Sequence, residues 1–115
     1  MVQSLAVGCT VNNGCKVVWD AEKRKFECIG SPTDGACKTI AEKLCGDPSS
    51  KDKAFEFEKE MNRKLEKVAV LDFTSDRMTM STVVSGYKND KDLLLKGAPD
   101  RVIDKCTSFV CLTSG

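Results

Sequence analysis

The residues with the clearest capacity for chemistry are a lysine and a glycine that follow an apolar run. Lys96 and Gly97 come after three consecutive leucines and before an Ala-Pro pair. Glycine lets backbone approach a ligand closely and proline favours a helix start, so the pattern predicts a strand, a turn and a helix with a cation beside them. This arrangement suits an anionic ligand such as a phosphate. It is not a Walker P-loop, and taken alone it also fits a merely solvated lysine.

An aromatic residue and an acid are further candidates for ligand contacts. Phe73 ends an apolar run and borders a polar turn. A lone phenylalanine at such a place is usually a core residue, whereas an exposed ring could stack on a base, which is worth about 1–3 kcal/mol. Asp34 lies two residues after Pro32, and an acid near a helix start also favours the helix dipole without any ligand.

Three runs place these candidates in a pattern that resembles a known family. Residues 73–81 read Phe-Thr-Ser-Asp-Arg-Met-Thr-Met-Ser, and residues 96–100 read Lys-Gly-Ala-Pro-Asp, with Cys106 seven residues after the proline. Residues 30–36 read Gly-Ser-Pro-Thr-Asp-Gly-Ala. Together they resemble the nucleotide-binding (N) domain of P-type cation-transporting ATPases, above all the calcium pumps of the sarco/endoplasmic-reticulum type. The resemblance covers roughly residues 3–112.

The resemblance implies an ATP site with particular contacts. In the family, the lysine that matches Lys96 lines the nucleotide pocket, with Gly97 next to it. The phenylalanine that matches Phe73 lies against the adenine ring. Asp34, which follows Thr33, matches a family glutamate that is close to the adenine amino group. These four positions and Thr33 are therefore the expected nucleotide-binding residues, with ATP as the ligand.

The sequence departs from the family pattern around the turn after Phe73. Ser75 stands where an arginine is common, and Met78 stands where calcium pumps usually carry a lysine near the nucleotide. Two cationic contacts are thus expected to be missing. Arg77, which is next to Met78, could partly replace these missing cations, so it is added to the expected nucleotide-binding residues. The alternative interpretation is that Arg77 forms a surface ion pair with Asp76.

Catalytic motifs of the family do not occur in the chain. It lacks the phosphorylation motif Asp-Lys-Thr-Gly-Thr and the actuator motif Thr-Gly-Glu. Phosphoryl transfer requires an in-line nucleophile and a Mg²⁺ ion that the protein positions. The resemblance therefore implies a parent pump that is an ATP hydrolase and translocase using Mg-ATP, and a fragment that has no catalytic residue and is inactive alone.

Composition and charge fit an ordinary soluble domain. The chain has 115 residues, of which 41% are hydrophobic and 30% charged, and its net charge is +1. These values are typical of one globular domain, and interleaved charges without a basic patch argue against nucleic-acid binding. No stretch reaches 18 consecutive apolar residues, so we expect no transmembrane helix and no direct membrane contact. Residues 1–14 also lack the features of a signal peptide.

Seven cysteines raise the questions of metal binding and disulfides. They stand at positions 9, 15, 28, 37, 45, 106 and 111, without a C-x-x-C pair, and the chain has no histidine. Structural zinc sites normally combine such pairs with cysteine or histidine. The odd number, with two cysteines on one predicted helix, argues against a secreted disulfide framework. We predict free thiols, no metal site and a cytosolic compartment.

Apolar periodicity and turn signals predict the elements that hold the candidate residues. Helices are expected over residues 1–12, from Pro32 to Gly46, over residues 53–64, and from residue 97 to about 105. Strands are expected over residues 16–20, 25–29, 68–73, 79–84 and 92–96, with a possible last strand over 109–112. Ser31 is the expected cap of the second helix. The predicted buried positions of the second and third helices are Ala36, Ile40, Ala41 and Leu44, and Phe57, Met61 and Leu65.

The predicted fold class is α+β, an antiparallel sheet of five to six strands flanked by helices, in a single nucleotide-binding domain fragment over residues 1–115. The resemblance implies a cytosolic domain of a calcium-transporting pump in the endoplasmic-reticulum membrane. This domain is expected to hold adenine so that the γ-phosphate reaches an aspartate on another domain. Its implied partners are ATP and the phosphorylation and actuator domains of the pump. The alternatives are the same domain of a sodium/potassium-type pump, a degenerate protein-interaction module, and a secreted disulfide-stapled module.

Overall fold

A computed structural model of the chain describes residues 1–47 and 54–111. Its elements in chain order are α1 (Val2–Val11), β1 (Lys16–Asp20), β2 (Lys25–Ile29), α2 (Pro32–Cys45), α3 (Glu56–Lys64), β3 (Glu66–Thr74), β4 (Thr79–Ser85), β5 (Asp92–Gly97) and α4 (Pro99–Ile103). The predicted strands β1 and β2 have the same bounds in the structure. The predicted strands over 68–73, 79–84 and 92–96 and the four predicted helices agree with the structure to within a few residues. Residue 53, with which the predicted third helix begins, lies outside the described ranges.

The strands form two separate antiparallel sheets. β1 pairs with β2 in a hairpin, and β3, β4 and β5 form a three-stranded sheet with β4 in the middle. The α+β class is therefore observed, but the five strands of the described ranges do not join into the single sheet that we predicted. Residues 109–111 are not in a strand, and Leu112 of the predicted last strand lies outside the described residues.

The core lies between α1, α3 and the central strand β4. Its buried residues are Ala6, Val7, Val11, Ala41, Phe57, Met61, Leu65 and Val84. The predicted stripe of α3 is confirmed, since Phe57, Met61 and Leu65 are each at most 7% exposed. Burial of such a side chain stabilises the fold by about 1.5–3 kcal/mol. The rest of α3 exposes the charged residues Glu56, Lys59, Arg63 and Lys64, as expected for an amphipathic surface helix.

The predicted apolar face of α2 is wrong in three of its four positions. Ala41 is buried, whereas Ala36, Ile40 and Leu44 are exposed. Two charged residues, Lys38 and Glu42, face inward instead. Periodicity alone could not predict this, because burying these side chains depends on partners supplied by other elements.

Those partners connect α2 to α3 and to the start of the first hairpin. The Lys38 ammonium donates to the Cys15 carbonyl at 2.6 Å and pairs with Glu58 at 2.5 Å. The Glu42 carboxylate accepts hydrogen bonds from the backbone N–H groups of Phe57 and Glu58 at 3.3 and 2.8 Å. Glu42 therefore satisfies donors in the first turn of α3, which that helix cannot satisfy internally.

A buried asparagine connects α1 to the three-stranded sheet. Asn12, which is 1% exposed, donates from Nδ2 to the Met80 carbonyl at 3.0 Å and accepts from the Thr82 hydroxyl at 2.9 Å. Buried amides are stabilising when both ends are hydrogen-bonded in this way. The end of α1 is thereby fixed against β4, which forms part of the candidate site.

No helix in the part of the chain that the structure describes is long and apolar enough to cross a membrane.

Candidate functional site

A cavity of about 540 Å³ lies where the start of α2 faces the ends of β3 and β5. This volume is within the range of about 300–1,000 Å³ that is usual for small-molecule sites. The cavity is lined by Ser31, Thr33, Asp34, Cys37, Phe73, Met78, Met80, Lys96, Gly97 and Ala98. Five of the six residues expected to bind nucleotide are in this set, although they come from three separate parts of the chain.

Phe73 lies at an irregular part of the sheet. The pairing of β3 with β4 changes register between Leu71 and Thr74, and Phe73 is inside this interval. Irregularities of this kind re-aim a side chain relative to a regular ladder. The Phe73 side chain is 57% exposed and lines the cavity, so it is not a core residue. A flat apolar face is consequently available on one wall of the cavity.

The turn that follows Phe73 is held tightly against the end of β5. Met78 has a left-handed backbone with φ of 51°, and its N–H donates to the Thr74 carbonyl at 2.7 Å. The Met78 carbonyl accepts from the Ala98 N–H at 3.0 Å. A Cβ atom on Gly97 would lie 2.4 Å from that carbonyl oxygen. Gly97 is therefore required for the close approach of two backbones, apart from any role toward a ligand.

Lys96 and Asp34 form an ion pair across the cavity. The ammonium nitrogen and a carboxylate oxygen are 2.5 Å apart, and the two side chains are 28% and 18% exposed. The second carboxylate oxygen of Asp34 accepts from the Gly14 N–H at 3.1 Å. Asn13 also donates to the backbone carbonyl of Asp34 at 2.7 Å, which fixes the first turn of α2. Because the two charges compensate each other, the cavity is close to neutral where they meet.

The start of α2 contributes two further residues to the cavity wall. α2 begins at Pro32, as predicted, and both Ser31 and Thr33 line the cavity. The Ser31 side chain makes no capping hydrogen bond, which differs from the predicted cap. Its carbonyl instead accepts the Gly35 N–H at 3.0 Å. The Ser31 hydroxyl is thus not committed to the first turn of the helix.

Arg77 is outside this set of residues. Its side chain donates to the Thr74 hydroxyl at 3.0 Å and to the Asp72 carbonyl, and it lines a separate groove of about 370 Å³. Thr79 and Ser81 line that groove, whereas Met80 between them lines the cavity. Since alternate side chains of a strand point to opposite faces, the groove lies on the other face of the sheet.

Met80, Ala98 and Cys37 line the cavity but were not among the sequence candidates. Cys37 could have been found, because it lies three residues after Asp34 and so shares its helix face. Residues 1–47 and 54–111 contain no group of three or more cysteine, aspartate or glutamate side chains suited to a metal ion.

Comparison with known families decides the assignment of the chain. The sequence model described as "P-type ATPase, cytoplasmic domain N" matches residues 1–114. The chain belongs to this family. The family resemblance proposed from residues 30–36, 73–81 and 96–106 is thereby confirmed.

Similar proteins of known description are calcium ATPases of the endoplasmic-reticulum type. The chain is 30% identical over 121 residues to the endoplasmic reticulum calcium ATPase srcA of Aspergillus fumigatus. It is 29% identical over 123 and 130 residues to the endoplasmic-reticulum-type calcium-transporting ATPases 3 and 2 of Arabidopsis thaliana. These matches cover 96–99% of the chain, and the chain spans 12% of the length of each relative.

Proposed function

We propose that this chain is the ATP-binding N domain of a calcium-transporting P-type ATPase and that it holds the nucleotide mainly by its adenine end. The observation that carries the proposal is the convergence of Phe73, Lys96, Gly97, Thr33 and Asp34 on one cavity. These are five residues for which the family resemblance implies nucleotide contacts. Arg77 is left out of the proposed site because its side chain lines a groove on the opposite face.

The chemistry of the cavity favours a flat, nearly neutral group over a triphosphate. Phe73 presents an exposed ring for stacking, which contributes about 1–3 kcal/mol per base. Asp34 offers carboxylate oxygens that can accept an N–H of the adenine amino group. Lys96 is already paired with Asp34 at 2.5 Å, so its charge is largely compensated before any phosphate arrives. The phosphates are therefore expected to extend toward solvent.

In the whole pump, this mode of binding would leave the γ-phosphate free to reach an aspartate on another domain. The partners we propose are the phosphorylation and actuator domains of the same pump, which would supply the nucleophile and hold the Mg²⁺ of Mg-ATP. Because the relatives are named as endoplasmic-reticulum calcium ATPases, we propose the cytosolic face of that membrane as the location and Ca²⁺ as the transported ion.

The proposal is tested by titrating the chain with ATP, ADP, AMP and adenosine while recording amide NMR spectra. We expect dissociation constants from hundreds of micromolar to several millimolar, which corresponds to about 3–5 kcal/mol, and similar values for ATP and AMP. Shifts should concentrate at Thr33, Asp34, Phe73, Lys96 and Gly97. Binding of none of these ligands would favour a degenerate interaction module, and a strong preference for ATP over AMP would contradict recognition by adenine.

A further inference from the structure

A short loop after α1 is hydrogen-bonded to the acid that faces the cavity. Asn13 donates two hydrogen bonds from its side-chain nitrogen Nδ2, to the Cys9 carbonyl at 2.9 Å and to the Asp34 carbonyl at 2.7 Å. Its amide oxygen Oδ1 accepts the Cys15 N–H at 2.9 Å. The Gly14 N–H donates to the Asp34 carboxylate at 3.1 Å. One side chain therefore connects the end of α1, the start of the first hairpin and α2 at the position of Asp34.

We propose that Asn13 is a positioning residue of the adenine site, which holds the Asp34 carboxylate where it can accept an N–H of the adenine amino group. This inference rests on the proposed function, because it explains how the contact between Asp34 and adenine is oriented. Asn13 is not among the residues that line the cavity. It acts only through Asp34, so its loss should reduce the preference for bases that carry the amino group.

Two contacts orient the Asp34 carboxylate, and they differ in stiffness. The Lys96 ammonium pairs with Oδ1 at 2.5 Å, but a lysine has a flexible four-carbon stem and can follow the carboxylate when it moves. The Gly14 N–H, which bonds to Oδ2, belongs to the backbone and cannot follow in this way. The direction of the carboxylate therefore depends mainly on the shape of the loop that presents the Gly14 N–H.

Asn13 sets the shape of this loop through both ends of its amide. The bond from the Cys15 N–H to Oδ1 reaches back two residues, which is the pattern of an Asx turn, and it holds the intervening Gly14 in place. The two donations from Nδ2 attach the turn to α1 and to the first turn of α2. Asparagine suits this role because a short side chain supplies two N–H donors and an acceptor. Alanine at this position would remove all three bonds.

A positioning role predicts an effect on base selectivity rather than on affinity in general. Purine riboside has the ring system of adenosine without the amino group. Stacking on Phe73 is available to both ligands, whereas the contact with Asp34 is available only to adenosine. One hydrogen bond of this kind corresponds to about a twofold to tenfold difference in dissociation constant. We expect the wild-type chain to prefer adenosine by this factor.

The test is NMR titration of the wild type and of Asn13→Ala with adenosine and with purine riboside. In Asn13→Ala the preference for adenosine should be lost, while the dissociation constant of purine riboside stays within about twofold of the wild-type value. Asn89→Ala is the matched control, since the Asn89 side chain also holds a turn, by donating to Asp92, and does not line the cavity. This control should keep the wild-type preference.

Amide hydrogen exchange measures the loop without any ligand. In Asn13→Ala, the N–H groups of Gly14 and Cys15 should both exchange about two to ten times faster than in the wild type, because both lose the bonded geometry. In Asp34→Ala, only Gly14 should exchange faster, since the Cys15 N–H is bonded to Asn13. Unchanged exchange at Gly14 in a folded Asn13→Ala protein would overturn the proposal.

The titrations separate failure of this inference from failure of the proposed function. If Asn13→Ala binds adenosine with the wild-type preference, or loses affinity equally for both ligands, Asn13 is a structural residue only and the positioning role is overturned. Equal affinity of the wild type for the two ligands would also overturn it, because Asp34 would then make no contact with the amino group. Absence of adenosine and AMP binding to the wild type would instead refute the proposed function, and exchange at Gly14 would still show whether Asn13 orients Asp34.

Discussion

Substitution of Met78 by lysine should strengthen ATP binding without disturbing the fold. Met78 lines the cavity together with Lys96, and the family carries a lysine at the position that Met78 occupies by resemblance. Both side chains are unbranched, so a lysine should meet the left-handed backbone of this residue at a similar cost. The new ammonium would lie near the path of the phosphates, which the present cavity leaves in solvent.

The size of the gain follows from exposure and neighbouring charge. Met78 is 41% exposed, so the new charge would remain partly hydrated, and such a contact to phosphate is worth about 0.5–1.5 kcal/mol. This corresponds to about a twofold to tenfold lower dissociation constant. Repulsion from Lys96 should remain small, because that ammonium is paired with Asp34 at 2.5 Å.

Isothermal titration with ATP and with adenosine at low and high salt checks this reasoning. The Met78→Gln variant is the matched control, since it has a similar length and no charge. The gain should occur for lysine and not for glutamine, should be larger for ATP than for adenosine, and should shrink as salt screens the contact. An unchanged ATP affinity in a folded Met78→Lys protein would show that the side chain does not reach the nucleotide, which would refute our alignment of this turn.

Three further predictions concern stability and activity. Gly97→Ala should lower the free energy of unfolding by about 1–3 kcal/mol, because the added Cβ would lie 2.4 Å from the Met78 carbonyl oxygen. Gly8→Ala is the control, since a Cβ added there has no atom within 4 Å, and it should raise the free energy of unfolding by up to about 1 kcal/mol. Chemical denaturation of both variants measures these changes. Hydrogen bonds from the backbone of Asn89 and Lys88 lower the pKa of Asp92 below 3.8, so its contribution to stability is present above that pH and lost as the pH falls through the lowered pKa. Unfolding curves of Asp92→Asn should therefore depend less on acid pH than those of the wild type, and an equal dependence would contradict the assignment. The isolated chain should release no phosphate from ATP above background, and release that disappears on mutation of a residue in this chain would contradict its reading as a binding domain.

Local patterns in the sequence predicted those parts of the fold that local physics decides. The β1–β2 hairpin, the start of α2 at Pro32 and the buried stripe of α3 follow from turn residues and periodicity, and the structure contains all three. The inward orientation of Lys38 and Glu42 depends on acceptors and donors in other elements, so no window of sequence could reveal it. The division of the strands into two sheets is likewise a long-range property.

The candidate site was predictable in composition but not in orientation. Residues 30–36, 73–81 and 96–106 supplied five of the residues that line the cavity, through resemblance to the family. The sequence did not reveal that Arg77 and Met78 point to different faces of the sheet. That outcome depends on the left-handed backbone at Met78 and on the irregular register before Thr74.

The central claim is that the exposed ring of Phe73 holds adenine, and a comparison of two phenylalanine variants tests it most directly. NMR titration with AMP should show that Phe73→Ala weakens binding by about 1–3 kcal/mol while the protein stays folded. Phe109→Ala removes a ring that is 89% exposed and does not line the cavity, so it should bind AMP as the wild type does. Equal affinities of a folded Phe73→Ala protein and the wild type would contradict the account.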